Sequence, residues 1–207
     1  MSGDGYTIVR GAWVLAMAPG RELVRDGAVA IAPDGAIDAV GPYEELAAAR
    51  PGAEVVGDGK GVVMPGLVNA HTHLTECLIP GMGEDAVLYE WFDRIVNPVG
   101  MVITRDDVAI GTRLKGVEML RSGVTTVNDM SCHRNMGSLA TLGAVDGLAD
   151  LGLRGVVSFG AEDVYEGAPG PEVFLAEHEA LADRIASEPL IEFRCGVGTV
   201  LGMSDAL

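Results

Sequence analysis

Val62-Val63-Met64-Pro65-Gly66-Leu67-Val68-Asn69-Ala70-His71-Thr72-His73-Leu74 is the stretch on which the rest of the chain is organised. It reads as an apolar β-strand running into a His-x-His pair. Successive side chains of a strand alternate faces, so the spacing directs His71 and His73 to one side and Thr72 to the other. Two imidazoles one strand repeat apart on the same face can reach a single metal ion, and neutral imidazole is a common nitrogen donor for zinc and its first-row neighbours. The pair alone is also compatible with two polar residues at a strand end.

The flanks decide between these readings. The string PGLVNAHTHL (residues 65–74) resembles the amidohydrolase superfamily, in particular its branch of cytosine-, guanine- and adenosine-type deaminases and triazine hydrolases. The resemblance continues through LIPGMGEDAVLYEWFDRIVNPVG, TRDDVAIGTRLKGVEMLRSGVTTVNDM and the closing MSDAL. It implies that the motif ends the first strand of a (β/α)8 barrel, with His71 and His73 as metal ligands. It further implies that two histidines from the fifth and sixth strands, an aspartate from the eighth and a glutamate proton shuttle near the fifth complete the site. None of these has a position here.

From Val62 onward the pattern alternates strand and helix, as a parallel sheet requires. Strands are expected at 123–130, 153–159 and 190–197, and helices at about 104–121, 138–151 and from Pro171 to before Pro189. Thr104 with Asp107 three residues later is a helix-capping signal. The spacing of Ile110, Leu114 and Val117 marks them as that helix's inward face. Residues 1–61 read as a small β-sandwich domain: strands at 7–15, 27–32 and 36–40, a turn at Pro33-Asp34-Gly35, and a helix from Tyr43 to Arg50. The expected architecture is thus α/β: a small β-sandwich over residues 1–61, and four βα units, half of a TIM-like (β/α)8 barrel, over residues 62–207.

A full barrel typically takes about 250 residues, against the 145 that follow Val62. A second protein subunit is therefore expected to supply the remaining strands and ligands, making this chain part of a heteromeric metal-dependent hydrolase of C–N bonds. The cofactor expected is a divalent metal, zinc by default, with iron or manganese as alternatives. The competing expectation is a non-catalytic half-barrel that scaffolds or regulates a partner enzyme. A third is self-association of two half-barrels.

The substrate wall is read through its departures from the resemblance. Similar nucleoside deaminases carry a ribose-holding glutamate where this chain has Gly100. They carry an arginine at Phe159, and a histidine within the stretch aligned with Val197-Gly198-Thr199-Val200. A site without those groups cannot hold a ribosyl or carboxyl group specifically, so a small non-nucleoside substrate is expected. His133, Phe159, Gly198 and Thr199 are the candidate pocket residues, and no catalytic group is assigned within the chain. Cys132 beside His133 is a poor nucleophile pair, because sequence neighbours rarely face each other. His178 falls on the Phe174, Leu181, Ile185 stripe and reads as a packed histidine.

Bulk composition excludes other classes. Fourteen Lys and Arg against thirty Asp and Glu give a net charge of −16, which disfavours nucleic acid, whose phosphates need clustered basic side chains. No apolar run reaches the roughly 20 residues of a membrane span, and the first residues lack a secretory pattern, so a cytoplasmic protein is expected. Cys77, Cys132 and Cys195 have no ligand-like spacing and read as reduced thiols. The glycines at 196, 198 and 202 lack dinucleotide-fingerprint spacing.

Overall fold

A computed structural model describes residues 5–20 and 23–207. The chain divides into two compact units, 1–65 and 66–207.

The first unit holds strands β1 (Thr7–Arg10), β2 (Trp13–Val14), β3 (Val24–Arg25), β4 (Gly27–Ile31) and β5 (Ile37–Pro42), helix α1 (Tyr43–Ala49), and strands β6 (Glu54–Val56) and β7 (Val62–Val63). One mixed sheet has the order β5-β4-β1-β6, and a smaller one β3-β2-β7. Strand β1 runs antiparallel to β4 and parallel to β6. The single strand expected at 7–15 is broken at Gly11. A Cβ there would come within 2.8 Å of the Gly61 carbonyl and 2.9 Å of that of Trp13, so the chain can switch sheets only at a glycine. Ile8, Ala28, Ala30 and Leu46 form the core of this unit. Val62–Val63 pairs in parallel with Trp13–Val14, so it belongs to the first unit and does not begin the histidine-bearing strand.

The second unit begins with β8 (Leu67–Thr72), which carries the histidine motif. A 3-10 turn (Leu74–Glu76) follows, then the helical turns α2 (Leu88–Trp91) and α3 (Asn97–Gly100) joined by a π-helical turn, Phe92–Val96. Next come α4 (Arg105–Arg121), β9 (Val124–Ser131), α5 (Leu142–Leu151), β10 (Arg154–Ala161), α6 (Pro171–Ile185), β11 (Ile191–Phe193) and β12 (Gly196–Val197). The sheet order is β8-β9-β10-β11, with β12 also on β10, and every pairing is parallel. Four strands in sequence order with helices between them are half of a (β/α)8 barrel.

Thr104 caps α4 as the sequence indicates: its hydroxyl accepts from the Asp107 N–H (3.3 Å), and the Asp107 carboxylate accepts from the Thr104 N–H (3.0 Å). The inward face of α4 differs from the expectation. Ile110, Leu114 and Val117 point to solvent, while Val108, Ala109, Gly111, Thr112 and Gly116 are buried. The cause is close helix–helix packing. A Cβ on Gly143 of α5 would lie 2.1 Å from the Arg105 carbonyl, and one on Gly147 would lie 2.6 Å from Thr112 Cβ. Small residues let the two backbones approach, so the buried side is small rather than strongly apolar. Asp146 ties three helices together, accepting from Arg105 Nε (2.6 Å) and from Arg184 Nε (3.0 Å). No helix among the described residues is long and apolar enough to cross a membrane.

Candidate metal centre

The histidine pair sits where β8 ends. His71 is in the strand and His73 follows Thr72, just before the 3-10 turn. Their Nε2 atoms are 3.1 Å apart, with the rings perpendicular and their centroids separated by 4.8 Å. His73 Nδ1 lies 2.7 Å from the Met130 carbonyl of β9. A carbonyl can only accept, so His73 carries its proton on Nδ1 and presents the Nε2 lone pair toward His71. Two nitrogens each about 2.0–2.1 Å from one zinc ion accommodate this separation. The donor set therefore fits a first-row divalent ion. Among the described residues, no group of three or more His, Cys, Asp or Glu side chains is placed to hold a metal.

The backbone around the pair is fixed from β9. Asp129 is fully buried; its Oδ1 accepts from the Leu74 N–H (2.7 Å) and its Oδ2 from the Ser131 hydroxyl (2.6 Å). Ser158 on β10 donates to the Asp129 carbonyl at 3.0 Å. Burial pushes the Asp129 carboxyl up to about 6, against the pull of those two hydrogen bonds. Asn128 donates to the Ala70 carbonyl at 2.9 Å. Asp129 thus joins β9 to the turn at Leu74, 55 positions earlier, a link that no local pattern reveals.

An open groove of about 400 Å3 runs beside the pair, lined by His71 and His73 together with Glu76, Cys77, Lys115 and Glu118. The sequence reading missed Glu76; its one signal is a carboxylate three residues beyond His73 in the turn that follows the strand. Burial raises its pKa, and His73 partly offsets the rise. Burial also pushes the Cys77 thiol up to about 12.

The four residues expected to line a substrate pocket are not among those lining this groove. Phe159 is fully buried, its ring centroid 5.0 Å from that of His133 and 6.5 Å from that of Phe174 on α6, so it faces the helix layer. His133 is buried, its Nε2 3.8 Å from the Glu177 carboxylate. Burial lowers the His133 pKa to about 4; burial also raises that of Glu177, against the pull of the Gly137 and Leu139 backbone N–H groups on its carboxylate. Gly198 donates its N–H to the Ala161 carbonyl. The Thr199 hydroxyl donates to Glu162 Oε1 (2.8 Å) and accepts from the Gly202 N–H (3.0 Å). Cys132 makes no nucleophile with His133: burial pushes its thiol up to about 12, and Sγ faces the Gly160 carbonyl at 3.4 Å. His178 is a packed histidine, with Nδ1 3.0 Å from the Phe174 carbonyl and Nε2 3.0 Å from that of Gly196.

Comparison with known proteins agrees with this architecture. A 5-methylthioadenosine/S-adenosylhomocysteine deaminase of Nitratidesulfovibrio vulgaris (strain DSM 19637 / Miyazaki F) is 37% identical over 174 residues, 83% of this chain and 38% of its own length. A 5'-deoxyadenosine deaminase of Methanosarcina mazei is 40% identical over 124 residues, 59% of this chain and 27% of that protein. The chain thus spans well under half the length of these curated relatives. Among solved structures, an adenosine deaminase from Xanthomonas campestris with bound zinc superposes with a TM-score of 0.71 at 27% identity, covering 91% of this chain and 42% of that one. An atrazine chlorohydrolase from Arthrobacter aurescens TC1, complexed with zinc, has the same fold, with a TM-score of 0.79 at 20% identity over 96% of this chain and 48% of that one. Residues 62–203, most of the chain and all of the histidine motif, match the Amidohydrolase family, and to that family the chain belongs.

Proposed function

We propose that this chain provides the first half of the catalytic barrel of a metal-dependent hydrolase acting on C–N bonds, with His71 and His73 holding a divalent ion, zinc in the first instance. The observation that carries the reading is the convergence of the two Nε2 atoms to 3.1 Å with the His73 tautomer set by the Met130 carbonyl. A hydrogen bond on the far nitrogen of a ligating imidazole fixes its orientation and raises its basicity. When bound, the ion supplies Lewis-acid chemistry and a water of lowered pKa at an electron-poor C–N carbon. This chain's own residues hold and orient: Met130 sets the His73 ring, and Asp129 pins the backbone at Leu74.

Two imidazoles fall short of the three protein ligands usual in catalytic zinc sites. The remaining ligands and the proton shuttle come from further polypeptide, in our reading a second subunit. The exposed side chains of Leu67 and Val68 on β8 and of Phe193 on β11 support this: unpaired strand edges with apolar side chains are templates for added strands.

We read the substrate as a small non-nucleoside heterocycle or amide-like compound. Gly100 offers no side chain, and the Thr199 hydroxyl is already committed to Glu162 and Gly202. Phe159, turned into the core, carries no weight in this choice. The competing reading is a 6-aminopurine nucleoside, favoured by the names of the relatives. Ammonia release by the assembled, zinc-loaded enzyme discriminates between them. Turnover of free amino-heterocycles at least about tenfold above that of the matching nucleosides is expected; the reverse order would overturn the substrate reading. No release from either class would overturn the activity.

A further inference from the structure

Glu162 carries a carboxylate that the proposed chemistry has not used. It stands one residue beyond β10. Because β8, β9, β10 and β12 are all parallel, it lies at the same end of the sheet as His71 and His73. In (β/α)8 enzymes the C-terminal ends of the strands carry the reacting and substrate-holding groups. One residue links the two places: the Cys132 N–H donates to Thr75 Oγ1 in the turn after His73, and the Cys132 thiol donates to the Gly160 carbonyl on β10, each at 3.4 Å.

The segment after β12 makes room for this side chain and holds it. A Cβ on Gly198 would come within 2.5 Å of Glu162 Cγ, and one on Gly202 within 2.6 Å of its Oε1. Neither glycine has a positive φ, so the space over them, not their backbone conformation, requires the missing side chains. The Thr199 hydroxyl donates to Oε1 at 2.8 Å. The Asp163 and Val164 N–H groups donate to the Gly202 carbonyl at 2.9 and 3.0 Å, fastening the segment to the residues after Glu162. From the other side Arg134, stacked 4.5 Å over the Tyr165 ring, reaches Oε2 only at 4.0 Å, beyond hydrogen-bonding distance. The carboxylate is half-buried, so its position is fixed while solvent still reaches it. We infer that Glu162 is a specificity-determining residue of the proposed hydrolase, accepting hydrogen bonds from the N–H edge of an amino-heterocycle or amidine substrate. A carboxylate accepts and does not donate, so it favours an edge of N–H donors and repels the lone pairs of an edge of oxygens. Such charge-assisted bonds are among the stronger ones.

This role rests on the proposed activity and narrows its substrate class. Isothermal titration of two pyrimidines into the assembled, zinc-loaded enzyme tests it: diaminopyrimidine, and dimethoxypyrimidine with methoxy groups in place of the amino groups. The wild type should bind the diamino compound at least about tenfold more tightly. Glu162→Gln should remove most of that preference with zinc content unchanged. Gly198→Ala should do the same without touching the charge, because its Cβ displaces the Glu162 side chain. Thermal melts confirm that each variant is folded. Equal affinity of the wild type for both compounds, a preference undiminished in Glu162→Gln, or an equal loss of both compounds, as a purely structural role would give, would overturn the proposal. Ammonia release is the separate readout: its absence with the preference intact counts against the proposed activity alone.

Discussion

His133 shows how much a single buried side chain can decide. The juxtaposition of His71 and His73 is legible in the sequence because it rests on a two-residue spacing and the alternation of a strand. His133 is not, because its surroundings come from Phe159 on β10 and Glu177 on α6, far along the chain. Burial holds its imidazole at about 4, against 6.5 when unperturbed. The unfolded chain therefore takes up a proton below about pH 6.5 that the folded chain refuses until about pH 4. Stability from this group is complete above 6.5 and is lost as the pH falls through that window, by up to about 3 kcal/mol. The raised Asp129 and Glu177 carboxyls titrate with the opposite sign, so the net slope is not the readout. Urea denaturation at pH 7.5 and pH 5 should show wild type losing more stability on acidification than His133→Gln; equal losses would refute the assignment.

At the scale of elements, the limits of α4 were readable and its orientation was not. The capping pair Thr104 and Asp107 sets the start, and the end falls at Arg121 before Gly123. Hydrophobic periodicity pointed to Ile110, Leu114 and Val117 as the inward side because large aliphatic residues usually face the core. Here the core side is chosen by how closely two backbones must pass, and glycine, alanine and threonine satisfy that requirement better. Gly143 shows the constraint most sharply, since its missing Cβ would meet the Arg105 carbonyl, a backbone atom that cannot step aside. Gly143→Ala is expected to destabilise the fold by about 1–3 kcal/mol through overpacking, despite alanine's better helix propensity. A higher midpoint in chemical denaturation would contradict the packing account. The strand expected at 190–197 illustrates a second limit: it forms as two short pieces, β11 and β12, both on β10, and nothing local in Arg194-Cys195 announces the break.

For the whole molecule, the parallel order β8-β9-β10-β11 followed from the alternation of strand and helix signals. The boundary between the units was less visible, because Val62–Val63 is as apolar as the strand after it yet pairs with Trp13–Val14. At its rim the half-barrel presents two imidazole nitrogens 3.1 Å apart. Isothermal titration of zinc into the metal-free 207-residue chain at neutral pH tests the proposed metal site most directly. The account predicts one weak site per chain, at least about a hundredfold weaker than a three-ligand catalytic centre, abolished by His71→Ala and by His73→Ala alike. A tightly bound ion that survives both substitutions would contradict it.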